Sequence, residues 1–150
     1  MKKTILFFIS AILITVGIFS FADKTPSREI ILTKNAPAPI GPYSQAIKVG
    51  NTLYVAGQVG FTIEGKLDTG SVENECKQAI NNVKAIVEAA GMNMQQVVKA
   101  TLYVTDLKNF SKINEVYATY FPQNPPARET VQVAALPKGA RFEISVIAVK

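Results

Sequence analysis

A long amphipathic helix in the middle of the chain constrains the fold most. In this segment apolar residues recur every three or four positions: Val72, Cys76, Ile80, Val83, Val87 and Ala90. This spacing lines them up on one face of an α-helix. Ser71 suits the N-cap, Glu73 and Glu75 suit the first turn, where the helix dipole favours negative charge, and Gly91 supplies a C-terminal stop.

The segments around this helix have strand patterns, with one further helix among them. Strands are predicted in "EIILT", in the two halves of "AIKVGNTLYVAGQVG" joined at Gly50 and Asn51 and ending near Gly57, and in "VVKATLYVTDL", "ARETVQVAAL" and "RFEISVIAV". In the fourth strand one face is expected to carry Val98, Ala100, Leu102 and Val104. The second helix, which ends before Pro122, has the stripe Leu107, Phe110, Ile113, Val116, Tyr117 and Tyr120.

The resulting order, β-β-β-α-β-α-β-β, predicts an α+β fold. Each helix has a single apolar stripe, so both are expected to cover one face of a single mixed β-sheet. The last strands keep apolar residues on their other face as well, among them Thr101, Tyr103 and Val131. We therefore expect the uncovered face to be buried against other subunits.

The N-terminus has the pattern of a secretory signal peptide. Lys2 and Lys3 precede the apolar run Ile5–Phe21, and Ala22 precedes Asp23. We predict a signal peptide over residues 1–22 and one domain over residues 23–150, in the periplasm or secreted, with no membrane contact after cleavage. The alternative is an uncleaved helix that anchors the protein in the inner membrane.

Composition excludes several classes of site. The chain has no histidine, which removes Ser-His and Cys-His catalytic pairs and the commonest transition-metal ligand. The net charge of +5 comes from scattered lysines, so no nucleic-acid partner is expected. The single cysteine, Cys76, lies on the helix stripe and is expected to be buried and inert.

Arg128 and Glu143 are the main candidates for chemistry. Arg128 follows two prolines that restrict its backbone, and Glu143 stands in the apolar "RFEISV" on the face opposite Phe142 and Ile144. A guanidinium can clamp a carboxylate, and a partly buried glutamate can act as general acid or base. The alternatives are an arginine satisfied by a protein oxygen and an exposed glutamate on an edge strand.

Three further residues have weaker individual signals. Tyr43 follows Gly41 and Pro42 in a loop and could line a pocket or fill the core beneath the loop. Gly57 at a strand end could present backbone to an anion or form a bulge. Asn114 would ordinarily be a solvated helix residue.

Taken together, these segments resemble the RidA family, also called YjgF/YER057c/UK114. The resemblance covers residues 31–150, and its most specific part is "PPARETVQVAALPKGARFEI". It implies a chorismate mutase-like (YjgF-like) α+β fold, with three subunits forming a trimeric barrel that has ligand clefts at the interfaces.

The resemblance also implies roles and a reaction. Arg128 would grip the substrate carboxylate and Glu143 would position or activate water. Tyr43, Gly57 and Asn114 would line the cleft. The substrates would be 2-enamine or 2-imine acids such as 2-aminoacrylate and 2-iminobutanoate, which are hydrolysed to 2-keto acids and ammonia. No cofactor and no metal are implied.

Three positions depart from the family pattern. Thr130 stands where many members have a cysteine, with its backbone N–H retained for substrate binding; Ala56 replaces a serine; and Glu129 occupies a position that is more often small and neutral. The alternative function is a non-catalytic protein, small-carboxylate-binding or holdase-like, that uses the same inter-subunit clefts. A ribonuclease activity is disfavoured by the lack of histidine and the dispersed lysines.

Overall fold

The computed structural model describes residues 27–67 and 70–150. Its strands and helices, in chain order, are β1 (Arg28–Ile31), β2 (Ala46–Val49), β3 (Thr52–Val59), α1 (Val72–Ala89), β4 (Val97–Val104), α2 (Phe110–Tyr120), β5 (Ala127–Gln132) and β6 (Phe142–Val149). The order is the predicted one. The predicted signal peptide, residues 1–22, lies outside the described residues.

Within the described part of the chain, none of the helices combines the length and the apolar character needed to span a bilayer.

The six strands form one mixed sheet in the order β1-β2-β3-β6-β4-β5. Only β4 and β5 run parallel, with α2 as the crossover between them, and the other neighbours are antiparallel. The last strand in the chain, β6, therefore lies between β3 and β4. This arrangement confirms the predicted α+β fold with a single mixed sheet.

Both helices cover the same face of the sheet, as predicted. α1 packs against α2, β3 and β6. The core between them contains the apolar stripe of α1 and the inward residues of β4 and β6, namely Ala100, Leu102, Val104, Phe142, Ile144, Val146 and Ala148. Burial of this continuous apolar layer is the main stabilising contribution to the fold.

The ends of α1 and the first hairpin follow local rules. The Asn74 N–H donates to Ser71 Oγ at 3.1 Å, which confirms the N-cap. Gly91, after the helix, has φ 70°, and Gly50 in the two-residue turn between β2 and β3 has φ 57°. These are the backbone conformations for which glycine was expected at both positions.

Three local predictions are wrong. A β-bulge between Val97 and Lys99 shifts the register of β4, so Val97 is buried and Val98 is 48% exposed. β3 continues past Gly57 to Val59, because a second bulge lets the strand resume its pairing. Leu107 lies in a short 3₁₀ turn before α2 and is exposed.

In the described chain, the second face of the sheet has no covering layer. Directly paired residues on this face include Ile47, Tyr54 and Ile147, with Tyr54 exposed and the other two partly exposed. Apolar side chains on neighbouring strands thus form a continuous surface. Its burial against other subunits stays a prediction.

Candidate active site

A cleft of about 290 Å³ opens where the loop before β2 meets the ends of β3 and β6. Three of the predicted site residues, Tyr43, Gly57 and Glu143, line it together. Much of the remaining wall is apolar and includes Pro37, Ala38, Ile40, Val59, Phe61 and Pro137. The cleft therefore combines one ionisable carboxyl group with apolar surroundings, which is the usual make-up of a small-molecule site.

Glu143 lies on the central strand β6, next to Val59 on one side and Tyr103 on the other. The expectation that it shares a face with Ser145, opposite Phe142, is confirmed by the alternating burial along β6. Its side chain forms no hydrogen bond or ion pair with another described residue. Burial raises the pKa of the Glu143 carboxyl from its ordinary value. The alternative of an exposed edge-strand glutamate is wrong.

Gly57 provides the space that the Glu143 side chain occupies. A Cβ at position 57 would overlap Glu143 Oε1 and would lie 2.8 Å from its Cδ. Gly57 also falls within the bulge between Val55 and Gln58, where the pairing with β6 shifts. The predicted bulge and the predicted site position therefore coincide at this residue.

The buried side chain of Gln45, which is 1% exposed, holds the loop that carries Tyr43 by hydrogen bonds to the loop backbone. Gln45 Oε1 accepts the Thr33 N–H at 2.7 Å, and its Nε2 donates to the carbonyls of Thr33, Ala36 and Pro37 at 3.1, 3.3 and 2.8 Å. Sequence reasoning missed this residue. A loop held by four bonds can present Tyr43 in a fixed position.

Tyr43 itself lies at the mouth of the cleft and does not fill the core. Its side chain is exposed, and its hydroxyl accepts the Ile40 N–H at 3.2 Å. The ring therefore forms part of the cleft wall, as one of the two interpretations of the sequence predicted.

Arg128 lies in a second cleft, between α2 and the edge strand β5. Asn114, Tyr117, Phe121 and Pro126 also line it. The Arg128 Cζ lies 4.7 Å from the centre of the Tyr117 ring. The Arg128 side chain has no hydrogen bond and no ion pair to the described residues. The alternative of an arginine satisfied by a protein oxygen is therefore wrong, and the donors of the guanidinium are free for a ligand.

Asn114 is not the solvated helix residue that its position alone suggested. Its Oδ1 is buried and has no hydrogen-bond partner among the described residues, and the same holds for the hydroxyl of Tyr117. Both oxygens belong to residues of the Arg128 cleft. This cleft therefore places a cation beside two buried oxygens that have no hydrogen-bond partner among the described residues.

Arg128 and Glu143 point to opposite faces of the sheet. Arg128 pairs with Ala100, which belongs to the buried layer under the helices, whereas Glu143 pairs with Tyr103 on the uncovered face. The two side chains also line separate clefts. A single chain thus does not bring the two predicted catalytic residues together.

Thr130 and Glu129, two positions that depart from the family pattern, lie on opposite faces of β5. Thr130 lies two residues beyond Arg128 on the same face, half-buried beside Leu102, and is not among the residues that line the Arg128 cleft. Glu129 points to the other face, as expected, and pairs with Lys99 at 3.1 Å. Its carboxylate therefore does not compete for Arg128.

Cys76 is buried, as predicted. Burial, with a smaller effect of the neighbouring Glu75, raises the pKa of the Cys76 thiol to about 12. A thiol that stays protonated in an apolar layer is a poor nucleophile.

Glu75 has a role that the sequence did not indicate. Its carboxylate is fully buried, and Oε1 accepts the N–H groups of Arg141 and Phe142 at 2.6 and 3.1 Å, while Oε2 accepts Arg141 Nε–H at 2.8 Å. These bonds fix the first residues of β6, directly before Glu143. Glu75 was expected only to complement the helix dipole.

Asn82 lies on the same face of α1 as Glu75, about two turns further along the helix. It supports β3, the other strand of the cleft. Its Nδ2 donates to the carbonyls of Val59 and Phe61 at 3.1 and 2.9 Å. α1 therefore holds the ends of both strands that carry Gly57 and Glu143.

Metal ligands are not clustered in the described ranges, where no group of three or more His, Cys, Asp or Glu side chains could hold an ion.

Comparison with known proteins gives a consistent result. The family model described as Endoribonuclease L-PSP matches residues 33–150. A bovine (Bos taurus) protein named 2-iminobutanoate/2-iminopropanoate deaminase is 51% identical over 124 residues, which cover 82% of this chain and 90% of that protein.

Two solved structures have the same fold. RidA from the Antarctic bacterium Psychrobacter sp. PAMC 21119 has a TM-score of 0.79 and 46% identity, covering 81% of this chain and 99% of that one. TdcF from E. coli, solved with bound serine, has a TM-score of 0.79 and 40% identity, covering 81% and 98%.

Proposed function

Because the chain belongs to the RidA family, whose family model is described as Endoribonuclease L-PSP, we propose that it hydrolyses 2-enamine and 2-imine acids to 2-keto acids and ammonia. The observation that carries the proposal is the environment of Glu143. This carboxyl group has no partner among the described residues, lies in a mostly apolar cleft and has a pKa raised by burial. These are the properties of a general acid or base.

Arg128 supplies the matching clamp for the substrate carboxylate. Its guanidinium forms no ion pair with an acidic side chain in residues 27–67 and 70–150. A planar guanidinium can bind a carboxylate through two parallel hydrogen bonds, which fixes both the position and the orientation of a small substrate. The bovine relative is named for 2-imino acids, and the E. coli relative was solved with serine, a small amino acid. Both names fit a carboxylate clamp in this chain.

The complete site forms between subunits in this proposal. Since Arg128 and Glu143 face opposite sides of one sheet, the clamp of one subunit acts with the acid of its neighbour. A homotrimer in which the uncovered sheet faces pack together buries the surface around Tyr54 and Ile147 and brings the edge strand β5 of one subunit to the first cleft of the next.

The reaction then needs few steps. An enamine such as 2-aminoacrylate first takes a proton from solvent at C3 and becomes the iminium, the protonated imine. Glu143 accepts a proton from water as the water oxygen bonds to C2 and the C=N π electrons move to nitrogen, which gives a carbinolamine. Glu143 returns this proton to the nitrogen. Ammonia leaves with the C–N electron pair as the hydroxyl passes its proton to solvent and C2 becomes a ketone. Holding water and imine together supplies most of the acceleration.

The test is trapping of the imine by semicarbazide. 2-Aminoacrylate is generated enzymatically, and formation of its semicarbazone is followed with and without the protein. Wild type is expected to suppress trapping by releasing pyruvate faster. Arg128→Ala is expected to lose about 10- to 100-fold in kcat/KM, as for the loss of a charged hydrogen-bond partner.

Arg28→Ala is the matched control, because Arg28 is exposed on β1 and lines neither cleft. It is expected to behave as wild type. Equal trapping with wild type and with Arg128→Ala would reject the enzyme and favour a non-catalytic carboxylate-binding protein.

A further inference from the structure

We propose that Tyr117, assisted by Phe110, is a positioning residue that holds the Arg128 guanidinium against the face of α2 and so prepares it to bind a carboxylate. This inference rests on the proposed function, since it concerns the same clamp. It gives a role at the site to a residue that the sequence pattern placed only on the apolar stripe of the second helix.

The geometry is a cation held by two rings of one helix. Phe110 and Tyr117 are seven residues apart, so both lie on the side of α2 that faces β5. The Arg128 Cζ lies 4.7 Å from the Tyr117 ring centre and 5.7 Å from the Phe110 ring centre. Both distances fall within the range of a cation–π interaction.

Tyr117 is the more constrained of the two rings. It is 5% exposed, and its ring packs against Phe121 with the centroids 4.6 Å apart. Phe110 is 40% exposed, at the outer end of the same surface. A buried ring in fixed contact with its neighbour can hold the guanidinium in one orientation, whereas an exposed arginine would sample many rotamers.

A ring platform suits an anion clamp better than a carboxylate partner does. A carboxylate would occupy the N–H donors of Arg128 and would compete with the substrate for them. An aromatic ring below the Cζ accepts no conventional hydrogen bond from the N–H donors in the guanidinium plane, so these donors stay free for the substrate. Burial raises the pKa of the Tyr117 phenol to about 12, so the ring stays uncharged and the platform does not change over the neutral range.

The test compares Tyr117→Phe, which keeps the ring, with Tyr117→Leu, which removes it. Phe110→Leu is a second variant at an exposed position that leaves the core intact. Four quantities are measured: kcat and KM for 2-aminoacrylate hydrolysis, the Kd of pyruvate as an unreactive carboxylate, and the NMR shift of the Arg128 Nε–H. A proton over a ring face resonates upfield of its usual position.

Tyr117→Leu is expected to raise KM and the Kd of pyruvate by about 3- to 30-fold with a smaller effect on kcat, and to abolish the upfield shift. Tyr117→Phe keeps the ring and is therefore expected to keep the upfield shift and to change KM and the Kd of pyruvate less than Tyr117→Leu does. Phe110→Leu is expected to show a weaker effect in the same direction. A purely structural role of Tyr117 would lower kcat and stability without this selective change in carboxylate affinity.

The inference is overturned if Tyr117→Leu and Phe110→Leu both leave the Arg128 shift and the Kd of pyruvate unchanged. Failure of the proposed function gives a different result. If wild type accelerates no hydrolysis, the shift and the pyruvate titration still report on the platform, since neither requires turnover.

Discussion

Gly57 leaves room for the side chain of Glu143: the glutamate carboxyl group occupies the space that a Cβ at position 57 would need. The two residues lie on neighbouring strands, β3 and β6, at the bulge that interrupts their pairing. The acid therefore depends on a residue without a side chain, because any other residue would displace the carboxylate.

Gly57→Ala is expected to displace the Glu143 carboxyl group and to lower kcat by about 100-fold, the usual cost of misplacing a catalytic group by roughly one ångström. Overpacking at this position is also expected to lower the free energy of unfolding by about 1–3 kcal/mol. Steady-state kinetics and urea denaturation measure the two effects. A double variant is the control: with Glu143→Ala the overlap disappears, so Gly57→Ala should then cost little stability. Additive losses would contradict the contact.

Subunit complementation tests the shared site. Arg128→Ala and Glu143→Gln are each expected to have strongly reduced activity alone, and their co-expression is expected to restore part of the wild-type activity. Random mixing leaves about a quarter of the interfaces with an intact arginine and an intact glutamate in a cyclic trimer. The rate is measured on trimers isolated by size-exclusion chromatography. Mixed trimers as inactive as the separate variants would place the site elsewhere.

The acid limb of kcat/KM is expected to reflect Glu143. Burial raises the pKa of its carboxyl group, and the base form is needed to accept a proton from water, so activity should fall as pH drops through this raised pKa. The limb should therefore lie above the usual range of a glutamate. A pH profile of kcat/KM checks this, after the rate of uncatalysed imine hydrolysis has been subtracted at each pH. If the acid limb of kcat/KM has its midpoint at the ordinary pKa of a glutamate, the assignment of Glu143 as the general base is rejected.

The same shift has a consequence for stability. A carboxyl group whose pKa is raised in the folded state favours folding when protonated, and this contribution is lost as pH rises through the folded pKa. Glu143→Gln is therefore expected to equal wild type in unfolding free energy at low pH and to exceed it at neutral pH. Thermal denaturation across pH measures the difference, and a variant less stable at neutral pH would contradict the unpaired state of the carboxyl group.

Glu75 is expected to be essential for the stability of β6. Glu75→Ala leaves three N–H donors of Arg141 and Phe142 without their acceptor, and each buried donor left unsatisfied costs about 1–3 kcal/mol. Urea denaturation gives the value. Glu88→Ala is the matched control on the same helix, because its pair with Lys84 is exposed and is expected to contribute under about 1 kcal/mol. Equal losses in the two variants would reject the role of Glu75.

The predicted signal peptide can be tested directly. Expression of the full chain in a Gram-negative host is expected to give a mature protein that begins at Asp23, as judged by intact mass. A mass that retains residues 1–22 in a membrane fraction would favour the uncleaved anchor.

Local patterns predicted the elements well because their causes are local. The stripe of α1, its Ser71 cap and the Gly50 turn follow from the spacing of side chains and from backbone preferences near each residue. Val98 was placed on the wrong face because a bulge shifts the register of β4 by one residue, and strict alternation contains no sign of such a shift.

The site required non-local information. Alternation gave the face of Glu143 correctly, but its relation to Arg128 depends on β6 lying between β3 and β4, which no local pattern encodes. Gln45 had a signal that could have been found. The loop before it contains three prolines, which supply no N–H groups, so its carbonyls need donors from elsewhere.

Arg128 lies on a strand with one neighbour, and Glu143 lies on a strand with two. Substitutions beside the arginine therefore affect the edge of the sheet, whereas substitutions beside the glutamate affect its interior. Substrate preference can accordingly diversify along β5 at little cost to folding, and the proton-transfer group stays unchanged.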